Sequence, residues 1–148
     1  QHMRQVMDDL GADADLTGIT LTPVDAGGVP AEWVTGTHVD ASKRLLYIHG
    51  GAFTMGSPKS HRGITAELAR RTGFAVLAID YRLMPEHTRM DGVADCRAAW
   101  AWLLENGPQS PGRAARAFVA GDSAGGNLTL ALIAWLRDAA RDGQRQDS

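Results

Sequence analysis

The chain has 148 residues, 44% of them hydrophobic, enough to bury one sizeable core, so a single domain or a piece of one is expected. With 15 basic residues against 17 acidic ones, the formal charge of −2 offers no field for nucleic acid or an anionic membrane surface. Cys96 is the single cysteine, which excludes an internal disulfide and a metal–thiolate cluster, and no apolar run approaches the roughly 20 residues of a membrane span.

The first residues lack the basic-then-apolar order of a secretion signal, so a soluble, cytoplasmic protein is expected. Gln1-His2-Met3 reads either as native sequence or as a cloning remnant ahead of a native start at Met3. Val6, Met7 and Leu10 predict a short amphipathic helix, ended by Gly11 and a polar stretch through Asp15. Residues 19–24 and 29–34 alternate apolar and polar side chains about Asp25-Ala26-Gly27-Gly28, the pattern of an antiparallel hairpin at a sheet edge. Residues 35–43 read as a polar connection.

Leu45-Leu46-Tyr47-Ile48 is a buried strand that runs into the loop His49-Gly50-Gly51-Ala52-Phe53 and a turn at Gly56-Ser57-Pro58. A helix is expected over residues 60–72 with Ile64 and Leu68 inward, then a buried strand over 74–79. A second helix over 90–106 carries Val93, Trp100, Leu103 and Leu104, and Cys96 falls in step with them, which makes this thiol a core residue rather than a reactive one. After a Pro/Gly loop at 107–115, Ala117-Phe118-Val119-Ala120 reads as a buried strand. Residues 128–136, apolar nearly all round, read as a helix buried behind the sheet. Residues 137–148 are almost all charged or polar, so the last helix leaves the core. Strands alternating with helices after an antiparallel start define an α/β fold, a parallel sheet covered on both faces.

The chemistry concentrates at Gly121-Asp122-Ser123-Ala124-Gly125, a Gly-x-Ser-x-Gly between the strand and the helix. A serine that attacks a carbonyl has to stand at the tip of a sharp strand-to-helix turn, where Cβ atoms at Gly121 and Gly125 would collide with the neighbouring backbone. The helix that opens at Ala124 points its unpaired N–H groups and positive dipole end at the place where an oxyanion forms. In the loop after the earlier strand, Gly50 and Gly51 let the backbone approach a ligand and turn N–H groups toward the same point. By itself that loop reads as an ordinary glycine turn after a strand; beside the Ser123 turn it reads as an oxyanion loop.

Three stretches in order, His49-Gly50-Gly51-Ala52-Phe53, Asp80-Tyr81-Arg82-Leu83-Met84-Pro85-Glu86-His87 and Gly121 to Asn127, resemble the signatures of the hormone-sensitive-lipase-like (bacterial family IV) esterases of the α/β-hydrolase superfamily, over about residues 45–137. The resemblance implies Ser123 as nucleophile and an oxyanion hole from Gly50, Gly51, Ala52 and Ala124, with Gly50 shaping the loop and the other three giving backbone N–H groups. Ala52 stands where the family usually has a third glycine; the donor survives, and the added methyl is expected to narrow the acyl or alcohol pocket. His49 is implied as a loop anchor, residues 81–87 as a brace, and Asp122 as support for the turn. Thr88-Arg89-Met90-Asp91 departs from the family's proline-rich continuation.

No histidine follows Ser123, whereas these hydrolases order their triad as Ser, then Asp or Glu, then His. Asp138, Asp142 and Asp147 do follow, on a helix and tail leading away from the turn. The expectation is an incomplete α/β-hydrolase fold, with 1–17 an N-terminal helical or cap segment and 18–148 the N-terminal half of a catalytic domain, inactive alone. The reaction implied is hydrolysis of short- to medium-chain carboxylic esters through an acyl-enzyme; a non-catalytic small-ligand-binding protein and an amidase or deacetylase of the same fold are the alternatives. The partners expected are a small ester, the remaining half of the same protein and a second copy as a homodimer. No His/Asp/Glu cluster has metal-ligand spacing, so no metal or cofactor is expected; His2, His38 and His61 fit polar loops or a helix start.

Overall fold

The computed structural model describes residues 1–146, with side chains through residue 144. Helix α1 (His2–Ala12) precedes a hairpin of β1 (Thr20–Asp25) and β2 (Pro30–Thr35), followed by β3 (Asp40–Ile48), α2 (Arg62–Thr72), β4 (Phe74–Ile79), α3 (Arg89–Glu105), β5 (Arg116–Gly121) and α4 (Ala124–Gln146). The strands form one mixed sheet in the order β1-β2-β4-β3-β5. β1, β2 and β4 pair antiparallel, while β3 pairs parallel with both β4 and β5. The hairpin therefore occupies one edge, as its alternating pattern predicts.

Each face of the sheet has its own core because successive strand residues point to opposite sides. One face gathers Trp33, Leu46, Ile48, Leu77 and Ile79 against Val93, Cys96, Ala99 and Leu103 of α3 and Leu128 and Leu132 of α4. The other sets Val34, Leu45, Tyr47, Val76 and Ala78 against Leu68 and Ala69 of α2. Cys96 is 1% exposed, and burial pushes its thiol up to about 12, consistent with an inert core position. α3 opens on a capping box: Thr88 accepts from the Asp91 amide and Asp91 returns a bond to the Thr88 amide. Thr88 to Asp91, which lack the family's prolines, thus start the helix by side-chain capping. Its C-terminal carbonyls receive the guanidinium of buried Arg44, whose Nη1 donates to Leu103 O at 2.7 Å.

Five details differ from the sequence-based expectations. β3 begins at Asp40, so the polar connection ends earlier than residue 43; Ser42 and Lys43 are strand residues near the strand's solvated start. Ile64 is 44% exposed and α2 instead presents Thr65, Ala66 and Ala69 to the sheet, because small side chains let the helix lie close. β5 is only half-buried, with Phe118 37% exposed, since it pairs on one side alone among the described residues. α4 buries Leu128 and Leu132 but leaves Leu130, Ile133 and Trp135 exposed, so its all-round apolar character is not matched by all-round cover. In α1 the apolar residues Met3, Val6 and Leu10 face outward, and a polar face meets the body. No helix among the described residues is long and apolar enough to cross a membrane.

Trp33 is fully buried, with its ring 6.0 Å from that of Trp102. Trp33→Ala is expected to destabilise the intact protein by about 3–5 kcal/mol, as a shift of the urea midpoint. Trp33→Phe should cost less, because it also removes an indole N–H that has no acceptor among the described residues.

Candidate active site

β5 ends at Gly121 and α4 begins at Ala124, leaving Asp122 and Ser123 to make the whole turn. Ser123 has φ 52°, the left-handed region that costs a non-glycine residue roughly 1–2 kcal/mol. The turn is this tight because α4 sits directly on the end of β3. A Cβ on Gly125 would lie 1.9 Å from the Ile48 carbonyl oxygen, and one on Gly121 would lie 2.5 Å from Gly125 O and 2.6 Å from Ile48 O. The side chain of Ser123 is exposed and forms no hydrogen bond among the described residues.

The loop after β3 arrives beside this turn, tied to it by Asp122. Asp122 Oδ1 accepts from Tyr47 Oη at 2.7 Å and from the Gly50 amide at 3.0 Å, and Oδ2 lies 3.3 Å from His61 Nε2. Burial opposes the Asp122 charge, but the Tyr47 hydroxyl, His61 and the Gly50 amide together outweigh it and hold the carboxyl below its usual range. Gly50 packs so close that a Cβ would sit 2.4 Å from Asp122 Oδ2. Its amide is thus committed to Asp122, and Gly50 shapes the loop rather than offering a free donor. Gly51 (φ 129°), Ala52 (φ 55°) and Phe53 (φ 62°) follow in positive-φ conformations. The amides of Gly51, Ala52 and Ala124 have no acceptor among the described residues, and these are three of the four oxyanion-hole positions read from the sequence.

Behind the loop, His49 is 1% exposed, stacks on Tyr81 at 4.4 Å and accepts at its own carbonyl from Tyr81 Oη at 2.7 Å. Its Nδ1 lies 2.7 Å from Gly50 O, and since a carbonyl only accepts, Nδ1 carries the proton. Nε2 is buried and unpartnered, and burial pulls the ring down to about 4, so it is neutral. Such a ring anchors a loop. The second signature stretch closes on the same spot: Met84 N donates to Phe53 O at 2.8 Å, and Arg82 pairs with buried Asp95 at 2.9 Å.

The described residues bring no base to Ser123. His2, His38 and His87 are exposed, and none of them bonds the serine. His61, expected at a helix start, is the N-terminal cap residue of α2 and only 8% exposed; its Nδ1 meets Ser60 Oγ at 2.7 Å and its Nε2 meets Asp122. That partnership was invisible in sequence because it joins residues 61 apart. Asp138 pairs with its neighbour Arg137 on α4 at 2.8 Å, Asp142 lies further along the same helix, and Asp147 lies outside the described residues.

A strained serine between a parallel strand and a helix, beside a glycine loop with free amides, is the arrangement of the α/β-hydrolase nucleophile elbow. The family described as alpha/beta hydrolase fold matches residues 45–145, and the chain belongs to it. Its branch is the hormone-sensitive-lipase-like one. The chain is 45% identical, over 78% of its own length, to an acetyl-hydrolase of Streptomyces hygroscopicus, of which it covers 37%. It is 35% identical, over 95% of its length, to the carboxylic ester hydrolase LipN of Mycobacterium tuberculosis, of which it covers 38%. The crystal structure of EstE7, a hormone-sensitive-lipase homologue from a metagenome library, superposes with a TM-score of 0.83 at 35% identity, covering 94% of this chain and 47% of that one. The chain thus spans less than half the length of each of these three.

Two outcomes are expected at this site. Ala52→Gly should stabilise the intact protein by about 1 kcal/mol in thermal or urea unfolding, because glycine adopts φ 55° without the steric cost that alanine bears. His49 takes up its proton near 6.5 when unfolded but only near 4 when folded, so the unfolded chain binds more protons between these values. Stability should therefore fall as pH drops from 6.5 to 4, by on the order of 3 kcal/mol from this residue, and level off below. In His49→Gln the slope of stability against pH in that window should be shallower.

Proposed function

We propose that this chain carries the nucleophile and the oxyanion hole of a serine carboxylic ester hydrolase that works through an acyl-enzyme. The observation that carries the reading is the strained, exposed Ser123 at a turn that Asp122 ties to the glycine loop, with the amides of Gly51, Ala52 and Ala124 unpaired among the described residues. Ser123 Oγ attacks the ester carbonyl carbon, and the carbonyl oxygen takes the negative charge under those three N–H groups. The serine proton passes to a histidine and from it to the departing alcohol, leaving the acyl group on Oγ. Water then attacks the acyl-enzyme, the histidine takes the water's proton, and Oγ leaves with that proton as the free acid is released.

The histidine and the Asp or Glu that orients it are assigned to the further half of the same protein. The relatives' greater length supports this, as does the fold: β5 is a sheet edge among the described residues, and Phe118 on it and Leu130, Ile133 and Trp135 on α4 expose apolar surface. Residues 18–148 are then the N-terminal half of the catalytic domain, and residues 1–17 a segment lying against it. Short- to medium-chain esters are the substrates proposed; similarity to a protein named acetyl-hydrolase supports the short end of that range.

In the intact protein, Ser123→Ala should abolish labelling by a fluorophosphonate and lower ester turnover by roughly 10⁴-fold or more. A burst of alcohol release that survives Ser123→Ala would refute the assignment.

A further inference from the structure

The polar face of α1 follows the chain that leaves the oxyanion loop. Arg4, Asp8 and Gly11, one turn apart and on one side of the helix, meet Thr54, Ser57 and the Lys59–Ser60 backbone in the same order. Arg4 uses all three guanidinium nitrogens. Nε donates to Thr54 O at 2.7 Å, Nη2 to Met84 O at 2.9 Å, and Nη1 and Nη2 to the two carboxylate oxygens of Glu86 at 3.1 and 2.8 Å. Asp8 accepts from the Ser57 hydroxyl. At Gly11 the helix approaches so closely that a Cβ would stand 2.0 Å from Lys59 O.

These contacts sit where the loop most needs support. Ala52 and Phe53 hold left-handed conformations, and such residues persist only when their surroundings over-determine them. Immediately after them, Phe53 O accepts from Met84 N, and Arg4 binds the carbonyls of Thr54 and Met84 that flank this bond. One planar cation therefore fastens the oxyanion loop to the second signature loop, a task that suits the fixed fork of arginine and not the single ammonium of lysine.

We propose that α1 is a latch for the oxyanion hole, with Arg4 a positioning residue that acts through Thr54 and Met84 to keep the Gly51 and Ala52 amides aimed at the developing oxyanion. The proposal rests on the ester-hydrolase reading of Ser123, and two independent readouts separate their failures.

The first readout is hydrogen exchange of the amides of residues 51–56 in the intact, unliganded protein. Exchange should quicken at least tenfold in Arg4→Ala and in Gly11→Ala, and Arg4→Lys should fall between wild type and Arg4→Ala. Gly11→Ala is informative because alanine otherwise strengthens a helix, so a loosened loop there reflects lost docking and not a weaker α1. The second readout compares an oxo ester with its thiono counterpart, whose sulfur is a poor hydrogen-bond acceptor. Arg4→Ala should lower kcat for the oxo ester at least tenfold with KM within about twofold, and should lower kcat for the thiono ester markedly less. Unchanged exchange in both Arg4→Ala and Gly11→Ala overturns the latch, as does an equal loss on the two esters. A wild type that neither turns over esters nor labels at Ser123 overturns the hydrolase reading instead, and exchange over residues 51–56 then decides the latch by itself.

Discussion

The architecture depends on the closeness with which the first turn of α4 lies on the end of β3. The carbonyl oxygen of Ile48 occupies the space where Cβ atoms on Gly121 and Gly125 would be, so hydrogen is the only side chain that fits at either position. This contact forces the two-residue turn that throws Ser123 into a left-handed conformation. It also fixes where the loop leaving β3 must run, since the carbonyl against which α4 packs belongs to the residue before His49. The Ser123 turn and the glycine loop beside it are thus two products of a single close packing. That is the economy of the parallel strands β3, β4 and β5, which deliver their C-terminal loops to one end of the sheet.

Around that contact the polar groups are arranged so that charge and hydrogen bonding reinforce the geometry. Asp122, next to Ser123, spends both oxygens on Tyr47, Gly50 and His61. Its carboxylate binds the turn to β3, to the oxyanion loop and to the start of α2. Beneath the loop His49 is kept neutral by burial and is clamped between its own chain and Tyr81. A neutral ring there adds no buried charge beneath the loop amides.

Reading the sequence reached far into this structure wherever the determinants were local. The strand–turn–helix around Ser123, the hairpin around Gly27-Gly28 and the core position of Cys96 each follow from a short run of side chains with the right period or the right small residues. Reading failed where the decisive partner was distant. Ile64 has the composition of a core residue, yet the neighbouring Thr65, Ala66 and Ala69 face the sheet, because α2 lies near enough for small side chains. Val6, Met7 and Leu10 correctly announce a helix, but the polar Arg4 and Asp8 form its docked face. The strand before Ser123 reads as buried from its apolar run, although its place at the end of the strand order leaves it half-covered.

By itself the sequence determined the class of fold, the place of Ser123 at the strand-to-helix turn and the positions of the glycines around it. Each of these is encoded in residues only a few positions apart, where steric demands act directly on the backbone. Only the tertiary structure decided what each polar group is for. Asp122 and His61, Tyr47 and Asp122, and Arg4 with Thr54, Met84 and Glu86 are separated by 61, 75 and 50 to 82 positions. A hydrogen bond between groups so far apart depends on how helices and strands are stacked, and no local pattern of the chain carries that information.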